Sequence, residues 1–164
     1  MSAMKLVEQR LPSQTAQILD EFRIEPSSPD FRSVPPDQVW AVWPKLERMV
    51  KRGLSHGQGD ATTSEGMLRN ILLGNYLLWV AMKDGGPVAG IVLSVRPTDT
   101  GSKVWIEMLA GNNSRYWADE LEELLSDFMR LTGSRCIEAS CRPGLVKILE
   151  GRGWRKKAVV MELK

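Results

Sequence analysis

The sequence predicts an α/β domain of the α+β kind, with a mixed, mostly antiparallel central sheet, helices on both faces and an N-terminal arm. Three observations predict it. Strand-length apolar runs follow one another from Tyr76 to Leu109 with turn signals between them, which is the pattern of a meander. Runs of helical period lie on either side of that meander, and a strand-sized run follows the last long helix. The first 34 residues are broken by proline and serine, so they separate as an arm (1–34) from a domain (35–164).

The bulk properties agree with one domain. With 164 residues, 43% of them apolar, the chain can bury a sizeable core. Its 22 basic and 20 acidic side chains leave a formal charge of +2, so no global field points to nucleic acid, a membrane or an acidic partner. Cys136 and Cys141 fall five apart in one expected strand, on opposite faces, which argues against a mutual disulfide and for a reducing compartment. Met1 to Gln9 lacks the apolar core of a signal peptide, and no 18-residue apolar run occurs. These features predict a soluble, cytoplasmic protein without a membrane partner, and nucleic acid is not an expected partner either.

In chain order, Ser13 to Arg23 places Ala16, Ile18, Leu19 and Phe22 at helical spacing behind Pro12. A helix this short is marginal alone, so it either frays, folds back or docks on a partner through Ile18, Leu19 and Phe22. Asp37 to Leu54 is a helix, with Val39, Trp40, Val42, Trp43, Leu46, Met49 and Val50 on its apolar side; Pro44 should kink or split it. Trp40 and Trp43 either pack down or anchor an interface. Ser55 to Asp60 is a loop containing His56, the sole histidine, which a loop tends to expose. Thr62 or Thr63 caps a second helix, Ser64 to Leu73, which Gly74-Asn75 ends.

Tyr76 to Lys83 and Val88 to Val95 are strands joined through Asp84-Gly85-Gly86-Pro87, a hairpin signal. A polar turn leads into the next strand, where Val104, Ile106, Met108 and Leu109 supply apolar bulk and Trp105 and Glu107 take the other face. Gly111-Asn112-Asn113-Ser114 breaks the run, Ser114 can cap, and Trp117, Leu121, Leu124, Leu125, Phe128 and Leu131 form the apolar stripe of a long helix. A helix start behind a glycine-containing turn offers backbone N–H groups to an anion. Arg135 to Cys141 is a strand, Pro143 to Arg152 a short helix and Ala158 to Leu163 a last strand. Trp79, Trp105 and Trp154 are expected in the core. Arg152, Arg155, Lys156 and Lys157 make a basic cluster that either holds a phosphate or is a solvated turn.

That element order, together with GLVKILEGRGWRKKAVVMELK from Gly144 to Lys164, resembles the GNAT superfamily of acyl-CoA-dependent N-acetyltransferases over about Pro35 to Lys164. The resemblance lies in a short helix ending in Gly153-Trp154, a basic turn and a final apolar strand. More narrowly, Cys141-Arg142-Pro143-Gly144 paired with Gly151-Arg152-Gly153-Trp154 is similar to GNAT-like proteins of tailed bacteriophages, some of them virion components. The superfamily implies acetyl-CoA as cofactor and a Q/R-x-x-G-x-G/A loop whose amides cradle its pyrophosphate. In one register the two small positions fall on Tyr116 and Ala118 and the Q/R position on Asn113, so only Ala118 matches. A shortened alternative uses Gly111, Asn112, Asn113, Ser114 and Arg115. The position of the frequent catalytic tyrosine falls on Leu149, which has no proton to give.

Glu107 is the candidate base, able to deprotonate an amine directly or through water, although a strand glutamate can equally be an ordinary paired group. Cys141 lacks an evident base, and no metal-ligand cluster or phosphate-loop motif occurs. The expected function is therefore a GNAT-fold interaction or structural protein with lost or weakened acetyl-CoA chemistry. It would contact a protein partner through its arm in a larger assembly, such as a phage particle in the host cytoplasm. The alternative is an acetyl-CoA-dependent N-acetyltransferase acting on an amine.

Overall fold

The computed structural model describes residues 31–55, 62–141 and 143–158. Among these, the elements run β1 (Phe31–Val34), a 3-10 turn (Pro36–Gln38), α1 (Val39–Ser55), α2 (Ser64–Leu72), β2 (Leu77–Lys83), β3 (Gly86–Thr98) and β4 (Gly101–Gly111). A second 3-10 turn (Ser114–Tyr116), α3 (Ala118–Thr132), β5 (Ile137–Ala139) and α4 (Pro143–Glu150) complete the order. Ile18, Leu19, Phe22, His56 and almost all of the expected strand from Ala158 to Leu163 lie outside the described residues. The last four residues of the expected arm form β1 and bury Phe31 in the core.

The strands follow sequence order, β1-β2-β3-β4-β5, antiparallel throughout except for the parallel β4–β5 pair. Local chemistry explains the turns. Asp84 and Gly85 both take positive φ, 51° and 78°, and so close the β2–β3 hairpin with the two-residue turn that matches strand twist. Thr63 caps α2, its hydroxyl accepting from the Gly66 amide at 3.0 Å. Gly133 ends α3 in the left-handed region, at φ 62°.

α1 neither kinks into two pieces nor stops at Pro44; it runs unbroken from Val39 to Ser55. The proline removes one ladder bond, at a cost of about 3 kcal/mol. Burying Trp43, Leu46, Met49 and Val50 along the same helix contributes about 1.5–3 kcal/mol per side chain, which outweighs that cost.

Two apolar layers cover the sheet. On one face Phe31, Trp79, Ile91, Leu93, Val104 and Ile106 pack against Trp117, Leu121, Leu124, Leu125 and Phe128 of the α3 segment, with Trp154 partly buried at the rim. On the other face Val39, Trp43, Leu46, Val50, Met67 and Ile71 of α1 and α2 cover Leu78, Val80, Val92, Met108 and Ala110. The even-numbered residues of β4 are thus divided between the layers, contrary to simple alternation. The cause is a bulge: Val92 pairs with Met108 and Leu93 with Ile106, so Glu107 is the extra residue and the strand changes face there.

Candidate functional site

The bulge at Glu107 coincides with a second break. β5 pairs with β4 only at Val104, Trp105 and Ile106, so from Glu107 to Gly111 no strand lies beside β4 on that edge among the described residues. The sheet therefore parts at the residue expected to be the base. Unpaired strand backbone at such a fork leaves hydrogen-bonding groups for another molecule.

Glu107 is held firmly. Its Oε1 accepts from the Ser94 hydroxyl at 2.5 Å and from Arg96 at 2.7 Å, and its side chain is 11% exposed. Its Oε2 meets no donor among the described residues. Tyr76 stands one residue before the Leu77–Leu93 pair, beside Ser94 on the same row. Burial raises its phenol pKa above the ordinary range and the Glu107 charge adds to the rise, while Arg96 offsets part of it. Trp105 is only partly buried, with the Arg96 guanidinium 4.3 Å and the Lys103 ammonium 5.6 Å from its ring centre. It is thus a wall of the site and not a core residue. Tyr76, Ser94 and Arg96 carried no sequence signal, because only the strand register brings them to Glu107.

The β4–α3 loop was the expected phosphate cradle, and its residues divide in role. Gly111 serves packing: a Cβ there would stand 2.7 Å from the Trp117 ring, 2.8 Å from Ala89 Cβ and 3.0 Å from the Val88 carbonyl oxygen. The Asn112 amide donates to the Val88 carbonyl at 2.9 Å, and the Asn112 carbonyl accepts from Trp117 Nε1 at 2.8 Å. Its side-chain oxygen accepts from Arg52 of α1 at 2.7 Å. Asn113 is left-handed, at φ 52° and ψ 58°, and Ser114 and Arg115 enter the 3-10 turn. The amides of Asn113, Ser114 and Arg115 meet no acceptor among the described residues.

Ser114 does not cap the long helix. The cap position is Trp117, whose side chain is buried and makes no capping bond, so the first-turn amides of Ala118, Asp119 and Glu120 meet no acceptor among the described residues. Tyr116 does not fill the loop: it is 51% exposed, with Lys83 and Arg115 over its ring at 4.9 and 5.2 Å. Arg52, Lys83 and Arg115 give the loop a positive surround. The first-turn acid Asp119 is offset by Arg152 at 3.0 Å, which also reaches Glu122 at 2.9 Å. These exposed pairs contribute little to stability.

Trp43 is 5% exposed and belongs to the core, so it cannot anchor a partner, whereas Trp40 is 62% exposed. The basic cluster is partly spent: Arg152 pairs with α3, and Lys157 with Glu138, which also takes Lys103 at 2.7 Å. Leu149 sits near the end of α4, where Trp154 and Arg152 donate to its carbonyl. Cys141 is partly buried and Cys136 exposed, both as free thiols. No group of metal-binding side chains occurs among the described residues.

No family model and no curated protein matches the chain. Solved structures do. An aminoglycoside acetyltransferase from an uncultured soil metagenomic sample is 16% identical with a TM-score of 0.63, covering 82% of this chain and 97% of its own. A GCN5-related N-acetyltransferase from Ralstonia eutropha JMP134 is 18% identical at 0.61, with 82% and 97% covered. Glucosamine-6-phosphate N-acetyltransferase from Arabidopsis thaliana is 14% identical at 0.60, again with 82% and 97% covered. Identities this low establish the fold alone.

Proposed function

We propose, from the premise that this chain has the GNAT acetyltransferase fold, that it is an acyl-CoA-dependent N-acyltransferase acting on an amine with Glu107 as general base. The observation that carries the reading is the parting of β4 from β5 at the Glu107 bulge, which leaves one edge of β4 and one carboxylate oxygen available together. Acetyl-CoA, when bound, supplies the activated acyl group. The open amides of Asn113 to Arg115 and of the first turn of α3 suit a pyrophosphate, and Arg115 and Lys83 add cations. Gly111 is packed against Trp117, Ala89 and the Val88 carbonyl, so in this reading the cradle rests on the residues after it.

The chemistry asked of the protein is modest. Glu107 takes a proton from the acceptor ammonium, directly or through water, on Oε2, while Ser94 and Arg96 fix Oε1 and hence the carboxylate plane. Leu149, in the place where the resemblance puts a tyrosine, has no proton to give, so it would supply none to the leaving thiol. Release of free CoA thiol from acetyl-CoA in the presence of amines tests the reading. Glu107→Gln should lower turnover about 100-fold or more at unchanged acetyl-CoA affinity. Full activity in that variant would refute Glu107 as base.

A second reading has a specific observation behind it. Gly111 is packed against Trp117, and Leu149 lacks a proton, as in a protein that keeps the fold and acts through a partner, including one within a virion. Trp40 is the residue offered to such a partner, with the arm carrying Ile18, Leu19 and Phe22. Absence of acetyl-CoA binding by the folded protein would decide for it.

A further inference from the structure

The acceptor's chemical class follows from the residues around Glu107, and the inference rests on the transferase reading. The register sets Ser94 opposite Trp105, Arg96 opposite Lys103 and Glu138 beside Trp105, so one face of the sheet carries polar and charged side chains around the Trp105 ring. There Arg96, Lys103 and Lys157 face the carboxylates Glu107 and Glu138, leaving one positive charge in excess. A polycationic acceptor would meet net repulsion here.

Arg96 is positioned for recognition. One guanidinium nitrogen is tied to Glu107 at 2.7 Å and its Cζ lies 4.3 Å from the Trp105 ring centre, so its position is set before any ligand arrives. It is nevertheless 42% exposed, and its remaining N–H groups meet no acceptor among the described residues. A fixed guanidinium fork with open donors matches the two oxygens of a carboxylate or phosphate. Next to it, the Oε2 atom of Glu107 is open to an ammonium. We infer that the acceptor is an amine that also carries an anionic group, and that Arg96 receives this group while Glu107 faces the amine.

The test uses the full chain, acetyl-CoA and matched acceptors: an amino acid against its carboxamide, glucosamine 6-phosphate against glucosamine, and spermidine as a polycation. The anionic member of at least one pair should be favoured about tenfold or more in kcat/KM, the size of one charged hydrogen-bonded contact. Which pair responds separates a carboxylate from a phosphate. Arg96→Gln should bring that ratio close to one, mainly through KM, and Arg96→Lys should retain part of it; melting curves identify a variant that has simply unfolded. Preference for spermidine or the neutral amines, or a ratio unchanged by Arg96→Gln, overturns the inference. If no amine is acetylated, the transferase reading fails, and calorimetric titration of the same pairs into wild type and Arg96→Lys still reads the anion preference.

Discussion

Replacing Gly111 with alanine separates two accounts of the β4–α3 loop. An added Cβ would stand 2.7 Å from the Trp117 ring, 2.8 Å from Ala89 Cβ and 3.0 Å from the Val88 carbonyl oxygen. All three neighbours are constrained. Trp117 is buried, edge-on to Phe31 at 6.2 Å and bonded through Nε1 to the Asn112 carbonyl; Ala89 is fully buried; Val88 is held by the Asn112 amide. Overpacking of this kind costs about 1–3 kcal/mol, and three simultaneous short contacts, one to backbone, place Gly111→Ala near the top of that range. For a chain of this size the thermal midpoint should fall by roughly 5–10 °C. Urea unfolding should show a lower midpoint at unchanged slope. In a double-mutant cycle with Trp117→Ala, itself costing about 3–5 kcal/mol, the two effects should fall short of additive by about 1 kcal/mol. A stable Gly111→Ala protein that has lost acetyl-CoA affinity would refute the argument, because the glycine would then exist for a ligand's approach.

Other perturbations test separate links. Pro44→Ala should stabilise the protein by at least about 1 kcal/mol in urea unfolding, since it restores a donor to the α1 ladder; destabilisation would show that the ring is needed for packing. Phe128→Ala, at a fully buried site edge-on to Trp79, should cost about 3–5 kcal/mol. Lys103 and Lys157, through their hydrogen bonds, hold the Glu138 pKa below the ordinary carboxylate range. Its folded pKa lies below the unfolded value of about 4.3, so this contribution is full above pH 5 and lost as pH falls through the folded pKa. Wild type should therefore lose more stability between about pH 5 and 3 than Glu138→Gln, and parallel acid profiles would show that the pair is inert.

Short-range chemistry made much of the fold legible. Asp84-Gly85 specifies its own turn, Thr63 its cap, and the α3 stripe its buried face from Leu121 to Phe128. What was not legible depends on contacts across the sheet. Alternation alone puts Val104, Ile106 and Met108 on one face, and only the pairing with β3 reveals the bulge that turns Met108 to the other. The same holds for the site. Glu107 stands out as a strand carboxylate, but Arg96, Ser94 and Tyr76 become its neighbours only through register. Trp117 looks like the first stripe residue of a helix, yet it stands at the cap position without a capping bond and fills the space over Gly111. Phe31 follows a proline- and serine-rich stretch, which hides the start of an edge strand of only four residues.

In the proposed transferase, the fork at Glu107 and the open amides after Gly111 hold an acyl-CoA. Calorimetric titration of the folded protein with acetyl-CoA tests it most directly. One site is expected, with Kd below about 100 μM, a binding free energy beyond roughly 5 kcal/mol, weakened several-fold by Arg115→Ala. No binding heat and no shift of the thermal midpoint at millimolar acetyl-CoA would contradict it.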